Sequence, residues 1–104
     1  MGIIRRIADL QLGSIGTTKV LQITSSETVW TIHSGNRAAE VMNFGVVNLF
    51  YGQSNLLASS GLIIASSNGA KFWDSVVDNF TLYFRISSGG YSNQVIVHEY
   101  QGNN

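Results

Sequence analysis

Short apolar runs separated by turn residues constrain the fold of this chain more than any other feature. They are clearest in residues 45–73, where three runs are separated by two Ser/Gly/Asn segments and no charge occurs before Lys71. In the first run, Leu49 and Tyr51 flank Phe50, which gives the two-residue period of a strand. This segment therefore predicts three strands joined by two turns.

Similar runs recur about every 8 to 15 residues along the rest of the chain. Short strands at this spacing are typical of an all-β sandwich or barrel. We therefore predict an all-β fold, a small antiparallel β-sandwich or barrel with an N-terminal extension. The predicted strands are 19–23, 28–33, 39–44, 46–51, 62–65, 70–73, 80–86 and 94–100.

Glycines mark the places where residues 45–73 should reverse direction. Gly52, Gly61 and Gly69 are expected to adopt positive φ angles, which glycine tolerates without steric cost. The dipeptide formed by Asn68 and Gly69 is the strongest two-residue turn signal in the chain.

The last two runs, 80–86 and 94–100, show the clearest alternation of apolar and polar residues. The seven residues between them carry Gly89 and Gly90 at their centre. A glycine-containing loop between two alternating runs is typical of a hairpin. We therefore predict that these two strands pair as antiparallel neighbours.

A chain of 104 residues has room for one domain, which we divide into an extension, 1–17, and a sandwich, 18–104. The extension could form a first strand or helical turn on its own domain, or an arm that docks on a neighbouring subunit. The apolar side chains of an exposed arm would need to be buried against another surface. The predicted interface residues are Ile3, Ile4, Arg5, Arg6, Ile7, Leu10 and Leu12.

The charge of the chain is low and balanced, with six Lys and Arg against six Asp and Glu. No overall field attracts nucleic acid. Charged residues make up 12% of the chain, against about 25% in typical proteins, and a weakly charged surface favours association. We therefore expect a permanent homo-oligomer. No apolar run approaches the ~20 residues that span a bilayer, so no membrane partner is expected.

The sequence contains no recognisable catalytic or metal-binding constellation. It has no cysteine, and neither His33 nor His98 has further ligands at a familiar spacing. Asp74 and Asp78 are better explained as a solvated loop than as a carboxylate pair. The serines lack a Gly-x-Ser-x-Gly elbow, and the glycines lack a phosphate-binding pattern. We predict no enzymatic activity, no metal and no cofactor.

Aromatic side chains offer a possible contact surface for a glycan or a protein. Trp30 and Trp73 are expected to belong mainly to the core, whereas Tyr83 and Tyr91 are placed on an outward face and a loop. A carbohydrate-binding or receptor-binding surface would require Trp73, Asp74, Tyr83 and Tyr91 to converge on one exposed face.

Three motifs carry a resemblance to a known group of proteins. They are NLFYGQS at 48–54, ASSGLII at 58–64, and the turn of Asn68 and Gly69 before another apolar strand. This order resembles an element of small bacteriophage virion proteins, and strands 80–86 and 94–99 match their two closing strands. The chain departs from that pattern because IIASSNG lacks the proline usually found there.

The resemblance implies a non-enzymatic β-sandwich protein of the capsid decoration, or cement, type, located on the virion surface. Its implied partners are further copies of itself, with a trimer favoured, and the major capsid protein. The alternative is a carbohydrate-binding or receptor-binding module of a phage tail, fibre or adaptor.

Overall fold

The computed structural model describes residues 15–52, 62–87 and 89–101. Each predicted apolar run supplies one strand, and the described residues contain strands but no helix. The predicted all-β fold is therefore confirmed. The strands are β1 (Ile15–Ile23), β2 (Thr28–Thr31), β3 (Asn36–Asn43), β4 (Leu49–Gly52), β5 (Leu62–Ile64), β6 (Gly69–Trp73), β7 (Thr81–Arg85) and β8 (Asn93–Gln101).

The strands form two antiparallel sheets that pack face to face. Sheet 1 has the order β1-β8-β3-β6, and sheet 2 has the order β2-β7-β4-β5. The first strand therefore pairs with the last, the second with the seventh, the third with the sixth, and the fourth with the fifth. This nested order is that of a jelly roll, a sandwich of two Greek keys.

The core lies between the sheets and follows the predicted alternation. In β8, Val95 and Val97 are completely buried, and in β7, Leu82 and Phe84 are buried. Aromatic packing continues this core, since Trp30 stacks on Phe84 with 6.3 Å between ring centroids. The sequence pattern therefore predicted the inward faces of these strands correctly.

The predicted hairpin between the last two strands is wrong. β7 lies between β2 and β4 in sheet 2, whereas β8 lies between β1 and β3 in sheet 1. Both are central strands, so their backbone groups bond to partners on both sides and not to each other. The glycine-containing connection therefore crosses from one sheet to the other.

The turn between β5 and β6 is where predicted, but its backbone geometry differs. Ser67 and Asn68 adopt the positive φ angles, and neither Gly52 nor Gly69 does. Gly69 is needed for space, because a Cβ atom there would lie 2.3 Å from the carbonyl oxygen of Ala65. The expectation of positive φ is therefore wrong for these two glycines, and Gly61 lies outside the described residues.

The N-terminal extension was predicted to end at residue 17, and β1 begins at Ile15. Its last residues are therefore part of sheet 1, opposite the end of β8. The predicted interface residues Ile3, Ile4, Arg5, Arg6, Ile7, Leu10 and Leu12 lie outside the described residues. Their role in subunit contact stays a prediction.

Candidate functional site

Two clusters of buried polar side chains lie at opposite ends of the paired strands β3 and β8. Glu99 and Asn36 belong to the first, and Asn43 and Asn93 belong to the second. Glu99, Asn43 and Asn93 are completely buried, and Asn36 is 3% exposed. Buried polar groups are costly without hydrogen bonds, so these positions hold the most specific interactions of the core.

The first group, which we call the carboxylate cluster, consists of Glu99 and its four donors. Oε1 accepts hydrogen bonds from the backbone N–H of His33 and from Nδ2 of Asn36, each at 2.8 Å. Oε2 accepts one from Nε1 of Trp30 at 2.6 Å and lies 3.2 Å from Nζ of Lys19. Each oxygen therefore has two donors, and the carboxylate joins β8, β1 and β2 with the β2–β3 turn.

The pKa of Glu99 reflects two opposing effects. Burial disfavours the charged carboxylate and by itself raises the pKa. The hydrogen bonds from His33, Asn36, Trp30 and Lys19 favour the charged form, and together they bring the pKa below its usual value. Glu99 is therefore an ionised anchor of the fold at neutral pH.

An open pocket of about 450 Å³ lies beside the carboxylate cluster. β1 and β3 flank β8, and each carries one extra residue opposite the end of β8, Gly16 in β1 and Arg37 in β3. Such bulges bend a strand and redirect its side chains. The pocket, which we call the end pocket, is lined by Gly16, Thr17, His33, Ser34, Gly35, Asn36, Arg37 and Gln101.

The second group, which we call the amide cluster, contains no charge. Nδ2 of Asn93 donates to Oδ1 of Asn43 at 2.9 Å and to the carbonyl of Val47 at 2.7 Å. Oδ1 of Asn43 also accepts from the backbone N–H of Gly45 at 3.0 Å. The cluster therefore fixes the β3–β4 connection against the start of β8.

The outward face of sheet 2 carries four apolar or aromatic side chains beside a pair of hydrogen-bonded threonine hydroxyls. Phe50 lies directly opposite Ile63, and Val29 lies directly opposite Tyr83. Ile63 and Val29 are 54% and 53% exposed, whereas Phe50 and Tyr83 are partly buried. We call these four residues the sheet-2 surface. Arg85, opposite Phe50, is the charged residue on the outward face of these strands.

The edges of the two sheets differ in charge. Sheet 1 carries Lys19 on edge strand β1, opposite the buried Val97, and Lys71 on edge strand β6, opposite the buried Val41. The edge strands of sheet 2, β2 and β5, contain no charged residue. Inward-pointing lysines hinder pairing with another chain, so sheet 2 lacks a protection that sheet 1 has.

The structure distributes the predicted ligand contacts over different surfaces. Trp73 packs between the sheets, 5.5 Å from the ring of Tyr51, whereas Tyr83 lies on the outward face of sheet 2. Asp74 is exposed after β6, and Tyr91 is 50% exposed before β8. Trp73 and Tyr83 therefore do not lie on one contact surface, and a ligand contact at Asp74 or Tyr91 stays a prediction.

Other candidate residues have simple structural roles. His33 is exposed, and the ring of His98 is hydrogen-bonded to the hydroxyl of Thr18 at 3.0 Å. Asp78 forms an ion pair with Arg37. Within the described ranges, no three His, Asp or Glu side chains are grouped as metal ligands. The described residues also include no helix that could cross a membrane.

Neither polar cluster was predicted from the sequence, although the sequence contains a signal for both. In β8 the buried row is Asn93, Val95, Val97 and Glu99, which follows the two-residue period of a strand. Polar residues at both ends of an inward row predict buried hydrogen-bonded groups. Their partners could not be predicted, because Trp30 and Glu99 are 69 positions apart in the chain.

In comparisons with protein-family models, curated proteins and solved structures, nothing matches this chain.

Proposed function

We propose that this chain is a non-catalytic structural protein of a bacteriophage particle, a capsid decoration protein that acts as a homo-oligomer on the shell. The observation that carries the proposal is the sheet-2 surface with its two charge-free edge strands. A sandwich protects its edges with short strands, charge, proline, bulges or a covering loop. β2 and β5 are four and three residues long, and neither carries a charge. Such an exposed apolar face and edge suit contact with another subunit.

The arrangement of the edges supports a cyclic assembly. β2 and β5 lie at opposite sides of sheet 2, so one subunit can offer β5 to β2 of the next. Head-to-tail contacts of this kind close into rings, of which a trimer is a small example. A stable contact needs about 800 Å² from each partner, and the neighbouring Ile63 and Phe50 would contribute to it.

A decoration protein stabilises a shell through contact area, not through chemistry. Each copy that binds the assembled shell and not its dissociated subunits shifts the equilibrium toward the shell. The sandwich suits this role because its buried clusters keep the sheets rigid while the outward face of sheet 2 is available. The major capsid protein is the second partner that we propose.

The oligomeric state of the full-length chain tests the first part of the proposal. Sedimentation equilibrium should show an oligomer for the wild-type chain and a shift toward monomer for Ile63→Lys, which adds a charge to edge strand β5. The matched control is Val20→Lys, because Val20 is 58% exposed on an edge strand of sheet 1. A monomeric wild type, or equal effects of both substitutions, would refute association through sheet 2.

Location tests the second part. Electron microscopy of intact particles from the virus that encodes the chain should show a small jelly-roll density on the outer shell. Particles lacking the chain should lose their genome at lower temperature than complete particles. Density at the tail, with an undecorated shell, would instead favour a tail, fibre or adaptor module.

A further inference from the structure

We infer that the end pocket binds a neutral, hydroxyl-rich ligand, one or two units of a saccharide. This site is separate from the sheet-2 surface and from the residues Trp73, Asp74, Tyr83 and Tyr91. Its volume of about 450 Å³ lies within the range of about 300–1,000 Å³ that small-molecule sites occupy.

The walls of the pocket are fixed before any ligand arrives. Nδ2 of Asn36 donates to Glu99 and, at 3.1 Å, to the hydroxyl of Thr17. The backbone N–H of Asn36 also donates to the carbonyl of His33 at 3.0 Å, which closes the turn at Ser34 and Gly35. A ligand therefore meets ordered groups and loses little free energy to ordering them.

The shape of this turn depends on Gly35, whose φ angle is +94°. A positive φ at the third residue of a turn is the geometry that glycine adopts most easily. The turn and the two facing bulges together open the end of sheet 1. Bulges are frequent beside binding sites because they redirect side chains and end strand pairing.

The charges around the pocket cancel. Lys19 pairs with Glu99, and Arg37 pairs with Asp78. Two cations and two anions leave no net charge that would concentrate a free ion in the pocket. A neutral ligand therefore suits this site better than a phosphate or a metal ion.

The lining is suited to hydroxyl groups, which both donate and accept hydrogen bonds. Thr17 and Ser34 provide hydroxyls, Gln101 provides an amide, and His33 provides an imidazole. Bulky aliphatic side chains do not line the pocket. This set matches the alternating donors and acceptors of a sugar ring and offers little to a lipid.

The buried carboxylate supports the same conclusion. A buried ion pair is weak evidence for stability, since apolar residues of similar size often serve a core equally well. Glu99 instead holds the Asn36 and His33 walls of the pocket from behind, because its Oε1 accepts a hydrogen bond from each of these residues. Support of this type is what keeps a binding site in one geometry.

Amide chemical shifts of the full-length chain test the inference. Titration with glucose, galactose, mannose, N-acetylglucosamine and maltose should give saturable shifts for at least one sugar. The shifts should concentrate on Gly16, Ser34, Gly35 and Gln101. Sodium acetate, added while the ionic strength is held constant, is the anion control and should leave the chemical shifts of these amides unchanged.

Side-chain variants locate the site. Gln101→Ala and Ser34→Ala should each weaken the best sugar by about fivefold to tenfold, the effect of one lost hydrogen bond. Gln94→Ala is the matched control, because Gln94 is an exposed residue near the other end of β8. No saturable shift, shifts confined to other regions, binding of acetate alone, or equal loss in Gln94→Ala would overturn the inference.

This test is independent of the proposed function. A sugar can bind the end pocket of a monomer, and an oligomer can form through sheet 2 without any sugar. Ile63→Lys should therefore bind the same sugar with unchanged affinity. Loss of sugar binding in that variant would overturn the inference that the end pocket binds sugar independently of the sheet-2 surface.

Discussion

The two ends of the β3–β8 pair are closed by buried polar side chains of different character. One end holds an ionised carboxylate with four donors, and the other holds two neutral amides. In both clusters an asparagine lies directly against a glycine. Asn36 lies against Gly16 at the charged end, and Asn93 lies against Gly45 at the neutral end.

The difference shows how one sandwich can have a closely packed end and an end that holds an open pocket. The amide cluster ties the β3–β4 connection to β8 and packs onto Gly45, which is itself buried. The carboxylate cluster lies behind two bulges and the end pocket. The amide cluster therefore holds the β3–β4 connection in a closed, packed arrangement. The carboxylate cluster holds the residues behind the open end pocket.

Removing the central group of each cluster should separate the two ends most clearly. Glu99→Ala removes the acceptor of three neutral donors and of Lys19, which keeps its hydrogen bond to the carbonyl of Thr31. The loss of these bonds should lower the free energy of unfolding by about 3–5 kcal/mol. Asn93→Ala removes neutral hydrogen bonds and should cost about 1–3 kcal/mol. Urea denaturation of both variants measures the difference. Equal losses would mean that the charge adds nothing to the first cluster.

Trp30→Phe sharpens the comparison because it removes one donor and keeps most of the ring packing against Phe80 and Phe84. Loss of a hydrogen bond to a charged group should lower the free energy of unfolding by about 1.5–3 kcal/mol. A double-mutant cycle with Glu99→Ala, which removes the acceptor, isolates that bond. Additive effects in the cycle would show that the Trp30–Glu99 contact contributes no coupling.

The glycines under the two asparagines should tolerate a methyl group differently. A Cβ atom at position 45 would lie 1.9 Å from Cγ of Asn93, and one at position 16 would lie 2.4 Å from Oδ1 of Asn36. Gly45→Ala should cost about 1–3 kcal/mol because the buried amide cannot move away. Gly16→Ala should cost less, since Gly16 is itself exposed whereas Gly45 is buried. Thermal unfolding tests the order, and the reverse order would contradict it.

Acid should weaken the charged end alone. The pKa of Glu99 is lower in the folded chain than its usual value of 4.5, so the folded state binds the proton less readily than the unfolded state. The stabilising effect of Glu99 is therefore complete above that value and decreases as the pH falls through the folded-state pKa. Glu99→Gln should remove this part of the pH dependence, and Asn93→Ala should keep it.

Local pattern was enough to predict the strands and their inward faces. The alternation of Leu82 and Phe84 in β7, and of Val95 and Val97 in β8, depends on neighbouring residues only, and the structure confirms it. The predicted hairpin between these strands is wrong because neighbouring residues do not determine which strands pair. A glycine-containing connection permits either a hairpin or a crossing between sheets, and the partners of each strand decide between them.

The candidate sites were harder to predict because they join distant residues. Tyr83 and Ile63 share the outward face of sheet 2 only because β4 lies between their strands. The end pocket needs the bulge at Gly16 to face the bulge at Arg37 across the end of β8. Neither relation is visible in spacing along the chain.

The sequence by itself determined an all-β chain, the approximate extent of its strands, and which side chains point inward, because a strand alternates its faces at every residue. Only the tertiary structure decided the jelly-roll order, the charge-free edges of sheet 2, and the meeting of Glu99 with Trp30 and Asn36. These features depend on pairing between strands that are far apart in the chain, and many pairings satisfy the same local pattern. The sheets select one of them by burying the apolar rows together and by bringing buried polar side chains such as Glu99 to their hydrogen-bond donors.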